Sequence, residues 1–218
     1  MKTPAFFLIL ASVSVLTGGE PVPLSNGKDL SGWTDAAGKA PGEGWKVEEG
    51  GVIHRAGKAG DLFTAKEYGD FELSFSWKVA AGGNSGVKYR MKEYAGKGLL
   101  GPEYQVLDDE KHPDAKVGPQ RQSGALYDLV AADAGAKRLK PPGEWNESRI
   151  VVRGGSIEHW LNGAKVVSIT VGSDEWKAVH AKSKFKGVPD FAVNAKGRIM
   201  LQDHGDEVWF RGLTIREL

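Results

Sequence analysis

Residues 71–79 alternate apolar and polar side chains without a break, and no other stretch limits the possible folds as strongly. The apolar set is Phe71, Leu73, Phe75, Trp77 and Val79, and the polar set is Glu72, Ser74, Ser76 and Lys78. Successive side chains of a β-strand point to opposite faces of its sheet, so this order predicts a strand with one buried face.

Other short segments repeat this strand pattern and are separated by residues that favour tight turns. Hairpin turns are predicted at Gly50-Gly51, Gly154-Gly155, Asn162-Gly163 and Gly205-Asp206. Besides 71–79, the predicted strands are 45–49, 52–55, 85–91, the middle of 101–108, 124–129, 145–153, 156–161, 164–169, 197–204 and 208–217. One helix is predicted over residues 173–185, with Ser173 as its N-cap.

This succession of strands with one short helix predicts an all-β fold, a two-sheet antiparallel sandwich. A chain of 218 residues suits one large all-β domain, and neither an internal repeat nor a linker divides it. We therefore predict a single β-sandwich domain over residues 20–218.

Residues 1–19 have the layout of a secretory signal peptide. Lys2 gives a positive start, residues 5–16 are apolar, and small residues follow at Thr17, Gly18 and Gly19. The apolar run is too short for a comfortable membrane span. We therefore predict export to the periplasm or the outside of the cell, with no membrane insertion once this segment is removed.

Charge and composition exclude several classes of function. The 29 Lys and Arg residues nearly cancel the 28 Asp and Glu residues, so no overall field favours nucleic acid as a partner. The chain has no cysteine, which excludes disulfides, thiolate metal sites and a cysteine nucleophile. Neither a G-x-S-x-G elbow, a P-loop nor a G-x-G-x-x-G motif is present, so nothing supports a serine hydrolase, an NTPase or a dinucleotide enzyme.

Residues 101–108, which read GPEYQVLD, are the first candidate for a working surface. Alternation places Glu103 and Gln105 together on one open face, opposite two apolar side chains. Asp108 joins that face only if the strand ends or bulges near Leu107. The alternative is an ordinary solvated strand face.

Histidines provide the other candidates for proton transfer. His204 shares a strand face with Gln202 close to a turn, although a lone histidine there is commonly just a polar surface residue. His112 lies in the polar loop 108–122 among several aspartates and could help to hold a divalent metal, but the spacing of these residues is not diagnostic. His159 shares a face with apolar residues and is predicted to be partly buried and structural.

Three further side chains could contact a substrate. Arg90 offers a planar fork of donors, and Asn84 combines a donor and an acceptor in one side chain. Tyr127 could stack on a sugar or hydrogen-bond to it. Each has an ordinary alternative, since Asn beside Gly is first a turn residue and a strand tyrosine is more often part of the core.

Six blocks occur in the same order along the chain: LSNGKDLSGW, GNSGVKYRM, GPEYQVLDDEKHPDA, SGALYDL, PPGEWNESRIVVRGGSIEHWLNG and GRIMLQDHGDEVWFRGLTIREL. Together they resemble the 3-keto-disaccharide hydrolase domain family over essentially all of the chain after residue 19. The resemblance implies a concanavalin A-like jelly-roll sandwich in an exported bacterial protein. It also implies glycosides with a ketone at carbon 3 as substrates, and a sugar 3-oxidoreductase as the functional partner that makes the ketone.

A ketone at carbon 3 acidifies the proton on carbon 2, which allows elimination at carbon 1 followed by addition of water. For this route we predict Glu103 and His204 as the proton-transfer pair, with Asp108 orienting one of them. The residues predicted to bind the keto-sugar are Asn84, Arg90, Gln105, Tyr127 and Gln202. No metal ligand is assigned, and the cofactor requirement is left open.

Two other functions stay open. The E-x-Q-x-x-D run from Glu103 to Asp108 resembles the E-x-D-x-x-E strand motif of laminarinase-type glycosidases, which favours an ordinary glycoside hydrolase. Gln105 replaces the middle acid of that motif, whereas a retaining mechanism needs two carboxyl groups about 5–5.5 Å apart. A non-catalytic carbohydrate-binding module is the other alternative, although the tryptophans are scattered. The chain also departs from the family by a modest insert between Met91 and Glu103, which could reshape one wall of the site.

Overall fold

The structure is a computed structural model that describes residues 18–218. Within this range the chain forms fourteen strands, one α-helix and three short 3₁₀ turns. The strands are β1 (Val22–Pro23), β2 (Trp33–Thr34), β3 (Trp45–Glu48), β4 (Val52–Arg55), β5 (Leu62–Tyr68), β6 (Phe71–Val79), β7 (Asn84–Tyr94), β8 (Gly98–Leu100), β9 (Glu103–Leu107), β10 (Asn146–Arg153), β11 (Ser156–Leu161), β12 (Ala164–Thr170), β13 (Gly197–Leu201) and β14 (Val208–Glu217). The helix is α1 (Asp174–His180).

Two antiparallel sheets pack face to face, which confirms the predicted all-β sandwich. The eight-stranded sheet has the order β12-β11-β10-β6-β14-β4-β3, and β1 also pairs with β14. The six-stranded sheet has the order β2-β5-β13-β7-β8, and β9 also pairs with β7. The apolar face of β6 lies in the core, as the alternation predicted, and each of its apolar residues is at most 3% exposed.

Buried polar contacts join the two sheets through the core. The Tyr104 hydroxyl on β9 lies 2.7 Å from Ser148 Oγ on β10, and the Tyr89 hydroxyl on β7 lies 2.9 Å from His159 Nε2 on β11. His159 is fully buried, and burial lowers its pKa to about 4. The prediction that His159 is structural is therefore confirmed, and its ring links β11 to β7 through the Tyr89 hydroxyl.

The turn predictions hold for the hairpins β3–β4, β10–β11 and β11–β12, but the closing hairpin at Gly205-Asp206 was wrong. β13 pairs with β5 and β7 in the six-stranded sheet, whereas β14 pairs with β6 and β4 in the other. The connection 202–207 therefore crosses from one sheet to the other. The apolar faces of β13 and β14 both lie in the core that the two sheets share.

Two other local predictions need correction, and strand β5 was missed. Residues 124–129 form isolated bridges through Leu126 instead of a continuous strand. The helix ends at His180, five residues earlier than predicted, although Ser173 does cap it by accepting the Trp176 N–H. Strand β5 was not predicted, since its residues 65–67 are an exposed run that gives no apolar alternation.

A bulge in β7 changes which face its last residues occupy. Arg90 has a φ of 47°, and three steps on β7 from Lys88 to Met91 oppose two on β13. Val87 and Tyr89 lie in the main core, but Met91 packs in a separate outer cluster. The extra residue in the strand reverses the alternation beyond the bulge.

No helix in residues 18–218 is long and apolar enough to cross a membrane. The predicted signal peptide, residues 1–19, lies almost wholly outside the described residues.

Candidate functional site

The outer face of the six-stranded sheet carries the predicted polar cluster, where β7 pairs with β9. Their register places Lys88 opposite Glu103 and Gly86 opposite Gln105. The row continues onto the end of β13, because the Gln202 N–H donates to the Gly86 carbonyl. Alternation directs these side chains away from the core. The structure therefore brings Glu103, Gln105 and Gln202 to one surface.

Strand β9 is buried along its whole length, so the expectation of an open polar face was wrong. The loop 118–128 lies against its edge: the Tyr127 N–H donates to the Glu103 carbonyl, and Gln105 Nε2 donates to the Arg121 carbonyl at 3.4 Å. Only 4% of Glu103 and 1% of Gln105 stay exposed. The surface is covered by a loop whose irregular sequence gives no periodic signal.

Glu103 lies over Gly86, where only a glycine leaves room for its carboxylate. A Cβ at Gly86 would be 2.3 Å from Glu103 Oε1. Lys88 Nζ lies 3.7 Å from the other carboxylate oxygen. Burial raises the pKa of Glu103, while the positive charges of Lys88, Lys184 and His204 act in the opposite direction. A carboxylate with a raised pKa is a stronger base than a surface glutamate.

Lys184 reaches this cluster from the segment after α1. Its ammonium lies 4.1 Å from the centroid of the Tyr127 ring, which is the range of a cation–π contact. The side chain is exposed at the surface, but atoms crowd its ammonium enough for desolvation to lower the pKa of Lys184, against the charge of Glu103. Its own backbone N–H donates to Asp128 Oδ2 at 2.6 Å, which fixes the main chain at this point.

Tyr127 is half-buried beside Glu103, but its hydroxyl is already engaged. It donates to Asp114 Oδ2 at 2.8 Å, and Asp114 in turn pairs with Arg121 at 2.8 Å. Burial together with the Asp114 carboxylate raises the pKa of Tyr127. The predicted hydrogen bond from Tyr127 to a sugar would therefore compete with Asp114, whereas the ring remains a wall of the site.

The predicted amides lie close to the cluster and are enclosed. Asn84 and Gln105 are 2% and 1% exposed, and within residues 18–218 neither side-chain oxygen has a hydrogen-bond partner. A buried acceptor without a donor costs folding free energy. The two side-chain oxygens are therefore available to accept hydrogen bonds from a ligand. A sugar hydroxyl could satisfy them if the covering loop moves aside.

His204 lies at the rim, in the connection between β13 and β14. Its ring meets that of His112 edge-on with centroids 5.6 Å apart, and its Nδ1 is 3.9 Å from Asp206 Oδ2. In the part of the chain that the structure describes, no hydrogen bond joins His204 to Glu103, although its charge lowers the pKa of that glutamate. The two predicted proton-transfer residues thus share one site without direct contact.

Among residues 18–218, His112, His204 and Asp206 could hold a metal, since one ligand atom of each lies within 4.8 Å of the others. However, His112 Nδ1 accepts the Asp114 N–H at 3.1 Å. Neutral histidine with an accepting Nδ1 carries its proton on Nε2, which then has no lone pair for a cation. A metal here would require this hydrogen bond to break.

The connection that carries His204 is fixed to both sheets. Asp203 pairs with Arg55 at 2.6 Å and accepts the Ala59 and Gly60 N–H groups, each at 2.8 Å. Asp206 accepts the Asn84 N–H at 3.0 Å. These contacts hold the histidine at the open end of the polar row.

Asp108 does not reach the cluster. Its carboxylate accepts the N–H groups of Gly82, Glu110 and Lys111 at 2.8, 2.9 and 3.1 Å. Burial opposes ionisation, but these donors outweigh it and lower the pKa of Asp108. It lies five residues beyond Glu103, or about 16 Å along an extended strand. Asp108 therefore does not orient Glu103 and instead shapes the loop that follows β9, whereas an effect of Asp108 on His204 stays a prediction.

Arg90 is also placed elsewhere. It is 5% exposed, pairs with Asp70 at 2.6 Å and donates to the carbonyls of Gly69 and Gly154. All of these partners lie at the opposite end of β7 from Asn84. The prediction that Arg90 holds substrate was wrong. The bulge directs this side chain to Gly69, Asp70 and Gly154, with which it forms the hydrogen bonds and the ion pair given above.

Sequence reasoning missed Lys88, Lys184 and Asp61. Asp61 precedes β5, its Oδ1 accepts the Asp203 N–H at 2.9 Å, and burial raises its pKa against the charges of Lys88 and His204. Lys88 carried a usable signal, since alternation puts it on the outer face of β7. Lys184 carried none, because it is a single lysine in an irregular segment.

Comparison with known proteins gives consistent relatives. The profile of the 3-keto-alpha-glucoside-1,2-lyase-like domain matches residues 20–216. A Bacteroides thetaiotaomicron protein named 3-keto-disaccharide hydrolase is 35% identical over 228 residues, covering 90% of this chain and 78% of that protein. A solved structure from Parabacteroides distasonis, named as a candidate glycosyl hydrolase, has a TM-score of 0.81 at 36% identity and covers 91% of this chain and 94% of its own.

More distant likeness concerns the fold alone. A Bacillus subtilis protein with a galectin-like fold has a TM-score of 0.59 at 10% identity, covering 92% of this chain and 96% of its own. This agrees with the predicted jelly-roll sandwich.

Proposed function

Because the chain belongs to the 3-keto-alpha-glucoside-1,2-lyase-like domain family, we propose that it cleaves the glycosidic bonds of 3-keto-glycosides by elimination and hydration. The coarser part of this statement, a hydrolase acting on glycosides, is supported by the names of its relatives.

The observation that carries the proposal is the state of Glu103. It is a buried carboxylate with a raised pKa, 3.7 Å from Lys88 and within the field of Lys184. Elimination needs a base strong enough for a carbon-bound proton and positive charge for the oxyanion that forms. The buried Glu103 supplies the base, and Lys88 and Lys184 supply the positive charge.

The reaction balances without an added oxidant or reductant. Glu103 removes the proton on carbon 2, and the electrons of that C–H bond form the enolate between carbons 2 and 3. The enolate then expels the oxygen on carbon 1, the ketone is restored, and a proton reaches the departing oxygen. Water adds across the resulting double bond between carbons 1 and 2, so the net change is hydrolysis.

His204 at the rim is the proposed donor to the departing oxygen. It is exposed and near the open end of the polar row, where an aglycone would leave, and it is coupled electrostatically to Glu103. Asn84, Gln105 and Gln202 line the same row and are proposed to hold the hydroxyls of the keto-sugar.

The geometry favours this route over that of an ordinary retaining glycosidase. A retaining mechanism needs two carboxyl groups about 5–5.5 Å apart. Asp108, the second acid of the strand motif, is held by three backbone donors away from Glu103. The motif therefore does not assemble the required pair.

We further propose that the protein acts outside the cytoplasm and follows a sugar 3-oxidoreductase. Residues 1–19 carry the pattern of a signal peptide. A keto-glycoside must first be made by oxidation of the hydroxyl on carbon 3. The mass of the mature N-terminus in fractionated cells tests export.

The test of the activity compares aglycone release from a chromogenic glucoside and from its 3-keto counterpart, with and without a chelator. We expect cleavage of the keto compound only, and its loss in Glu103→Gln with folding intact. Cleavage of the plain glucoside would instead establish an ordinary glycosidase, and sugar binding without any cleavage would establish a binding module. Loss of activity with the chelator would show that a divalent metal is needed, and His112, His204 and Asp206 would be its candidate ligands.

A further inference from the structure

The site holds two ammonium groups near one carboxylate, and they differ in how they are used. Lys88 is opposite Glu103 in the β7–β9 register, and its Nζ lies 3.7 Å from the carboxylate. Lys88 also acts on the pKa of Asp61. Its charge is thus committed to acids of the protein.

Lys184 has no such partner. Among residues 18–218 no ion pair includes its ammonium, which instead lies 4.1 Å from the Tyr127 ring centroid. An ammonium has three donors, and a ring face satisfies its charge only in part. Lys184 therefore has donors available for a ligand beside the Tyr127 ring, and the Tyr127 N–H donates to the carbonyl of Glu103.

The position of Lys184 is fixed by its neighbours, unlike that of an ordinary surface lysine. Ser183 and Phe185 on either side are 4% and 6% exposed, and Phe185 stacks on Phe191 with ring centroids 4.1 Å apart. The Lys184 N–H is held by Asp128. The main chain from which the Lys184 side chain extends is therefore fixed.

We propose that Lys184 binds the carbon-3 oxygen of the substrate and stabilises the enolate that forms when Glu103 removes the carbon-2 proton. This inference rests on the proposed function and names the group that makes the site selective for ketones. A carbonyl oxygen that gains negative charge is stabilised more strongly in the transition state than in the ground state. A hydroxyl at carbon 3 gains no such charge, so an unoxidised sugar does not benefit.

The test separates proton removal from departure of the aglycone. The probe is a 1,5-anhydro sugar with a ketone at carbon 3, which has no leaving group but can exchange its carbon-2 proton with D₂O. We expect Lys184→Met to lower both this exchange and kcat/KM on the chromogenic 3-keto-glucoside by about 100- to 1,000-fold. Lys182→Met and Lys186→Met, which change exposed lysines of the same segment, should leave both rates unchanged.

A role limited to tuning Glu103 would give a different result. In that case Lys184→Met would shift the pH profile of exchange but leave its plateau unchanged, which would overturn the inference. If the wild-type protein cleaves the 3-keto-glucoside and Lys184→Met is equally active, the inference is overturned while the proposed function stays intact. A wild-type protein that neither exchanges nor cleaves the keto compounds would overturn both.

Discussion

The space above Gly86 makes a direct test of the placement of Glu103. A methyl group at this position would be 2.3 Å from Glu103 Oε1 and 3.0 Å from both Cδ and Cγ. Ordinary van der Waals contact begins at 3.4 Å, so the carboxylate must retreat by about 1 Å. Gly86 has no left-handed φ, so Gly86→Ala itself fits the backbone.

The expected consequence is a folded but impaired enzyme. Misplacing a catalytic group by about 1 Å can lower the rate by about 100-fold. Stability should change by no more than about 1 kcal/mol, because alanine in a strand interior gains about 0.5–1 kcal/mol over glycine, which offsets part of the crowding.

The assay is kcat/KM for aglycone release from the chromogenic 3-keto-glucoside, together with a thermal melt. Gly187→Ala is the matched control, since a Cβ there meets no heavy atom within 4 Å and its φ is not left-handed. Equal activity of the two variants would refute the reasoning that Glu103 must occupy the space above Gly86.

Three further predictions concern charge and pH. Lys88→Met removes a charge that lowers the pKa of Glu103, so the acidic limb of kcat/KM should move to higher pH, and it should stay in place in Lys92→Met on the same strand; an unmoved limb in Lys88→Met would argue against Glu103 as the base. Because burial holds the pKa of His159 at about 4 against about 6.5 when unfolded, the unfolded state takes up the proton first. Stability should therefore fall by about 3 kcal/mol from pH 6.5 to pH 4, and urea unfolding should show a smaller fall in His159→Gln; equal falls would contradict this. Asp108→Ala loses three backbone hydrogen bonds and should cost about 2–3 kcal/mol of folding free energy, while turnover per folded molecule persists; loss of turnover at full stability would restore Asp108 to the reaction.

The repeating local patterns of the sequence were sufficient for most of the sandwich. Strict alternation identified β6 to the residue, and glycine-containing turns identified three hairpins. Alternation alone does not state which sheet a strand joins, so β13 and β14 were wrongly paired with each other. Their true partners depend on contacts distant in sequence.

The site was harder to predict than the fold. Glu103, Gln105 and Gln202 were brought together because they lie on strands of one sheet or directly after one. Arg90 was wrongly assigned to the site because one bulge reversed its face. Lys184 was missed because its position depends on packing around Phe185. Asp108 was misjudged since a carboxylate that caps a loop has the same sequence signature as one that transfers protons.

The crossing between the two sheets has a consequence for how the molecule comes apart. Residues 202–207 connect β13 to β14. Asp203 pairs with Arg55 on β4 and accepts the N–H groups of Ala59 and Gly60, and Asp206 accepts the N–H of Asn84 on β7. His204 therefore cannot fray away while the layers remain docked. Opening of this connection, unlike movement of the loop 118–128 over the site, should need about the same free energy as global unfolding. In native-state hydrogen exchange, the amides of Ala59, Gly60 and Asn84 should then exchange as one cooperative unit, and activity should persist up to the main transition.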